Sequence, residues 1–125
     1  MCKLKAKGVN TIMGEETVLC ASSYYEKKFY LNPEFKALPE EIRQELQIMC
    51  VMFTEEVGGV LMLTYDEKGN LQLKVSHEDN DFVFDEIGSG LKVKELCQTK
   101  TELFESLELF YRIFFLGEKI NVTDD

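Results

Sequence analysis

The single histidine of the chain stands in "SHEDNDFVFDE", residues 76–86, a stretch with five carboxylates and no basic residue. Were a helix to run through it, His77, Asp81 and Asp85 would recur every four residues on one face. One imidazole with two carboxylates is a ligand set that some non-haem iron and zinc sites approach, so the spacing raises a metal-binding domain or metal-dependent enzyme as one reading. A plainer reading competes with it. The preceding "LQLKV" alternates as a strand does, so a helix starts only later, with Asp79 or Asp81 as its N-cap and Asp85 and Glu86 near its positive end. No ligand is then needed, and this is the reading adopted. A calcium loop does not fit, because counting from Asp79 places Val83 and Phe84 where an oxygen ligand and a glycine are required.

Other chemistry has less to work with. A nucleophilic Cys or Ser needs a base beside it, and His77 is the only imidazole. Cys50 shares an apolar helical face with Leu46 and Phe53 and reads as a small buried hydrophobe. Cys2, Cys20, Cys50 and Cys97 lack the close pairing of structural zinc ligands and read as four free thiols in a reducing compartment. Gly58, Gly59, Gly88 and Gly90 match no phosphate-cradling loop. The first two read as a helix stop, the other two as close packing against a neighbour. No catalytic residue and no cofactor is assigned.

The elements that would position these residues follow from periodicity. In "ALPEEIRQELQIMCVMFTEEVGG", Pro39 suits the first helical position, Glu40 and Glu41 suit the positive end, and Ile42, Leu46, Met49, Cys50 and Phe53 form one face. The expected helix runs from 39 to 56. Two strands follow, "VLMLTY" and "LQLKVS", joined by "DEKGN" with Gly69 and Asn70 in the turn, the second strand having Leu71, Leu73 and Val75 inward and Gln72 and Lys74 in water. Next, Phe84, Ile87 and Leu91, with Glu95 beyond them, share helical spacing, and a short strand over 82–84 is the alternative. Residues 101–116 form a long aromatic-rich helix striped by Leu103, Leu107, Phe110 and Phe114, with Phe104, Tyr111 and Phe115 beside it. Residues 17–30 read as a helix from their charge order, with a strand as the competitor because their apolar residues nearly alternate. The expectation is one α+β domain over 1–125, an antiparallel hairpin packed on several helices, with 1–16 and 117–125 loose.

The net charge is −9, and Lys3, Lys5 and Lys7 hold three of the positive charges, so removing them leaves −12 on the rest. A body this acidic repels phosphate backbones, which argues against nucleic acid. The longest apolar runs fall far short of a membrane span, and no secretory h-region follows the first residues, so a cytoplasmic location is expected and a membrane partner is not.

The run "LPEEIRQELQIMCVMFTEEVGGVLMLTYDEKGNLQLKV" and the later "DEIGSGLKVKELCQTKTELFESLELFYRIFFLGE" resemble a small bacterial protein family with no assigned activity. The resemblance implies a bacterial cytoplasmic setting and transfers no catalytic residue. From the residues themselves, the first expectation is a non-catalytic interaction or regulatory protein that self-associates through Phe110, Phe114 and Phe115, giving a homodimer or binding another protein. The metal reading on His77, Asp81 and Asp85 is the alternative, and an acidic immunity-type protein that neutralises a basic partner is a third.

Overall fold

The computed structural model describes residues 16–117. Residues 17–30, where helix and strand competed, form strands: β1 is Thr17–Ser23 and β2 is Lys28–Leu31. The near-alternation of apolar residues prevailed over the charge order, and Lys27, at φ 54°, makes the turn between the two strands. A 3-10 turn at Pro33–Phe35 follows, capped by the Asn32 side chain, and buries Phe35.

Helix α1, Glu40–Val57, is the helix expected over 39–56. Pro39 stands just before its first turn as the N-cap, its carbonyl accepting from Ile42 and Arg43 at 3.0 Å each. Gly58, at φ 84°, ends it in a left-handed geometry that only glycine adopts without strain. The hairpin is as expected, β3 Val60–Tyr65 and β4 Leu71–Ser76. It does not stand alone. All pairs are antiparallel in one four-stranded sheet of order β2-β1-β3-β4, so the hairpin joins the first two strands through β1.

The register decides which side chains meet the helices. Leu61, Leu63 and Tyr65 of β3 pair with Val75, Leu73 and Leu71 of β4, and Cys20 and Ser22 of β1 lie beside Leu63 and Leu61. That face carries α1 and the last helix: the Cys20 and Cys50 sulfurs are 3.9 Å apart, Ser22 and Thr54 hydroxyls 2.9 Å, and Tyr65 donates to the Leu107 carbonyl at 2.8 Å. Gln72 departs from expectation. It is buried rather than in water, its amide donating to Asp66 at 3.3 Å.

Helices α2, Glu86–Thr99, and α3, Thr101–Phe114, meet at Lys100, whose ammonium reaches Glu45 of α1 at 3.2 Å. The face that α2 turns inward is Ser89, Val93 and Leu96, and not the stripe of Ile87 and Leu91, which are 79% and 64% exposed. The cause is where the helix starts. Its N-cap is Asp85 rather than Asp79 or Asp81, and small Ser89 lets the helix approach the core on a side that hydropathy does not mark. Gly88 sits against the capping carboxylate, where an added Cβ would come within 2.2 Å of Asp85 Oδ2, but Gly90 faces open space, contrary to the expected close packing.

Leu46, Phe53, Leu61, Leu63, Tyr65 and Leu107 are among the side chains at the centre of one apolar core that both the sheet and all three helices share. Cys20 and Cys50 are free thiols within it. Burial and the neighbouring Cys50 thiol cost the Cys20 thiolate its stability: the hydrogen bond to Cys50 and then desolvation push its pKa well up, which makes it inert rather than nucleophilic. Cys97 is disulfide-bonded, which corrects the expectation of four free thiols; Cys2 lies outside the described residues, as do all but Glu16 and Gly117 of the segments expected to be loose.

Candidate functional site

The acidic segment between β4 and α2 folds as a closed loop over the end of α1. Asp81 is its hub. One carboxylate oxygen accepts from the backbone N–H of Val83 (2.9 Å) and Phe84 (3.1 Å), and the other accepts a short hydrogen bond from the Tyr25 hydroxyl. Tyr25 in turn accepts from the Glu78 N–H at 3.0 Å. The Tyr25 hydrogen bond, followed by those two N–H groups, holds the Asp81 carboxyl below the usual range, while desolvation and the bond to Asp81 push the Tyr25 phenol up.

His77 and Asp85 are each engaged elsewhere. The imidazole stacks on Phe84, centroids 4.4 Å apart and planes at 18°, with Nδ1 2.9 Å from the Glu78 carbonyl. Asp85 accepts from the Gly88 N–H at 2.9 Å as the helix cap, and its own N–H donates to the Val57 carbonyl at 3.1 Å. Among the described residues no group of three His, Cys, Asp or Glu side chains converges as a metal would need. The i+4 arithmetic fails because residues 77–85 contain no helix. Phe84 anchors the loop by lying on Gly59, where an added Cβ would meet its ring at 2.8 Å and the Ser76 carbonyl at 2.6 Å.

The second candidate is the far end of α3. Phe35, Tyr65, Tyr111 and Phe115 stack with near-parallel rings: Tyr65 on Tyr111 at 4.2 Å, Tyr111 on Phe115 at 4.9 Å, and Phe35 on Phe115 at 4.8 Å. Two hydroxyls tie the stack to the frame, Tyr65 to the Leu107 carbonyl and Tyr111 to Thr17 Oγ1 at 3.2 Å. Burial drives the Tyr65 phenol far above its ordinary pKa, so it stays a neutral donor. Phe110 is half-buried on the flank of Phe35, and Phe114 stacks on Phe110 at 4.4 Å but is otherwise 65% exposed, with Leu109 and Leu116 also exposed. Phe110, Phe114 and Phe115 are therefore close together, the first and last supported from beneath by the core. Sequence periodicity located these three but not Phe35 and Tyr65: Phe35 lies 75 residues from Phe110 and 80 from Phe115, and Tyr65 lies 46 from Tyr111.

A third feature had no signal in the sequence: a cavity of about 400 Å³ between β4 and the α2–α3 junction, walled by Leu71, Leu73, Cys97 and Phe104 with Glu105 and Glu108 at α3. It exists because β4 is an edge strand.

The molecule is thus an α+β protein with a four-stranded antiparallel sheet and three helices, in which Phe114 and its neighbours at the end of α3 are exposed. The chain belongs to the family of unknown function DUF6145, whose model matches residues 16–119. No curated protein and no solved structure matches it. Among the described residues no helix is long and apolar enough to cross a membrane.

Proposed function

We propose that this is a non-catalytic interaction protein that pairs with a second copy of itself through the end of α3, with Phe110, Phe114 and Phe115 at the centre of the contact. The observation that carries the reading is Phe114: a large ring, 65% exposed, seated on Phe110 and so on an aromatic stack that the core holds rigid. Rigid aromatic anchors over a packed base are what interface centres use, because little side-chain entropy is lost when they are covered. A second copy is the simplest cover, since two-fold pairing places a patch against itself and an aromatic patch is self-complementary.

The competing exposed patch, Phe82 and Val83 with Ile87 and Leu91, lies partly on the acidic loop, whose carboxylates would face their own copies across a two-fold contact. Dilution followed by NMR separates the two. The expected result is concentration-dependent shifts for the ring signals of Phe110, Phe114 and Phe115, with Phe82 unaffected. Ring signals at α3 that stay fixed over the whole range would contradict the proposal.

A further inference from the structure

Lys74 and Lys92 are the nearest lysines on either side of the acidic loop, and neither turns to it: Lys74 pairs with Glu16, and Lys92 with Glu56 and Glu95. Among the described residues none of the loop's five carboxylates is in an ion pair. Asp81 and Asp85 accept from backbone N–H groups and from Tyr25, whereas the exposed side chains of Glu78, Asp79 and Glu86 have no partner there. Amid these charges stand the most exposed large apolar side chains of the described residues, Phe82 at 93% and Val83 at 81%, followed by Ile87 and Leu91 one turn apart on α2. Their exposure is held in place. Asp81 fixes the Val83 and Phe84 N–H groups, Phe84 turns in onto Gly59 and His77, and the Asp85 cap sets the phase of α2, so Phe82 and Val83 are left outside a hydrogen-bonded frame. An exposed apolar patch rimmed by charge marks an interaction surface, and a held frame reduces the entropy lost on binding.

We infer that Phe82, Val83, Ile87 and Leu91 dock a cationic amphipathic helix of another protein, its apolar face on these side chains and its lysines or arginines over Glu78, Asp79 and Glu86. Charge selects the occupant. A second copy would bring like carboxylates together, and an anionic lipid surface or a nucleic acid would be repelled. A neutral apolar segment would strip water from the carboxylates and give them nothing in return. A basic helix matches them, on a chain whose net charge is −9. Shape selects a helix over an extended strand. Ile87 and Leu91, four residues apart on α2, form the kind of ridge that seats between the side chains of a second helix. Strand addition has no edge to use here, since β4 ends at Ser76, before the patch begins. The inference does not rest on the α3 dimer.

An NMR titration of the full chain with a synthetic helical peptide of leucines and lysines in amphipathic spacing tests this, set against the same peptide with glutamate for lysine. The expected result is saturable binding of the lysine peptide, weakened by added salt, that shifts the signals of Phe82, Val83, Ile87 and Leu91, with no binding of the glutamate peptide. Phe82→Ser combined with Leu91→Ser leaves every charge in place and should weaken binding at least about tenfold, with the α1 and β3 amide signals unmoved as the check on folding. Undiminished binding by that variant would overturn the inference, because charge attraction alone would then suffice. So would a lysine peptide that does not bind, a glutamate peptide that does, or shifts centred on Phe114, which would put the contact at the end of α3.

Discussion

Asp66 shows how much of this structure hangs on single carboxylates. It accepts from the N–H groups of Lys68 and Asn70 at 2.9 Å each and from the side chains of Asn70 and Gln72. Burial alone would raise its pKa, but these donors outweigh burial and hold it below the usual carboxylate range. A carboxyl depressed in the folded state adds stability that is complete above its unfolded pKa, near 3.9, and lost as pH falls through the folded value. Asp66→Asn should therefore cost roughly 1–3 kcal/mol near neutral pH, with the gap from wild type narrowing below about pH 3. Urea unfolding at the two pH values checks it. Glycines give a paired prediction: Gly59→Ala, at φ 73° with Ser76 and Phe84 in the way, should destabilise by roughly 1–3 kcal/mol, whereas Gly90→Ala, in open space on α2, should stabilise by about 0.5–1 kcal/mol. Thermal unfolding of both variants decides whether the Phe84 anchor is as tight as its contacts indicate. At this scale the sequence was least legible. His77, Asp81 and Asp85 share a spacing, yet Tyr25, which fixes Asp81, lies 56 residues away and no local pattern links them.

Elements were read well where one face decides and poorly where it does not. α1 and the β3–β4 hairpin carry strong periods, flanking glycines and a turn, and the structure places them within a residue of expectation. Helix α3 was expected over 101–116 and ends at Phe114, and its buried side chains are Leu103, Phe104, Leu107 and Tyr111 rather than the whole expected stripe, since Phe114 points outward. α2 has almost no apolar face, so its phase is set by the Asp85 cap and by what Ser89 allows, neither of which hydropathy reports. β1 and β2 were ambiguous because both of their readings satisfy local rules. The resolving fact is non-local: β1 pairs with β3. One cross-element bond gives a test of how α3 is held. Tyr65→Phe keeps the ring stack but leaves the buried Leu107 carbonyl without its hydroxyl donor, which should cost roughly 1–3 kcal/mol. A variant as stable as wild type would mean that the stack, rather than the hydrogen bond, fixes the helix.

Across the described residues, the antiparallel sheet, its helices and the shared core leave large apolar side chains exposed at the end of α3, along the run from Phe82 to Leu91, and at Tyr30, Ile48 and Met52. Self-association through α3 is the central claim, and sedimentation equilibrium over a wide concentration range tests it most directly on wild type, Phe114→Glu and Phe82→Glu. A charge placed at the centre of an apolar contact typically removes several kcal/mol of association, enough to shift the dimer out of range. The expected result is a reversible dimer for wild type and for Phe82→Glu, and a monomer at every concentration for Phe114→Glu. A wild type that stays monomeric at the highest concentration, or a dimer that Phe82→Glu abolishes and Phe114→Glu does not, would contradict it.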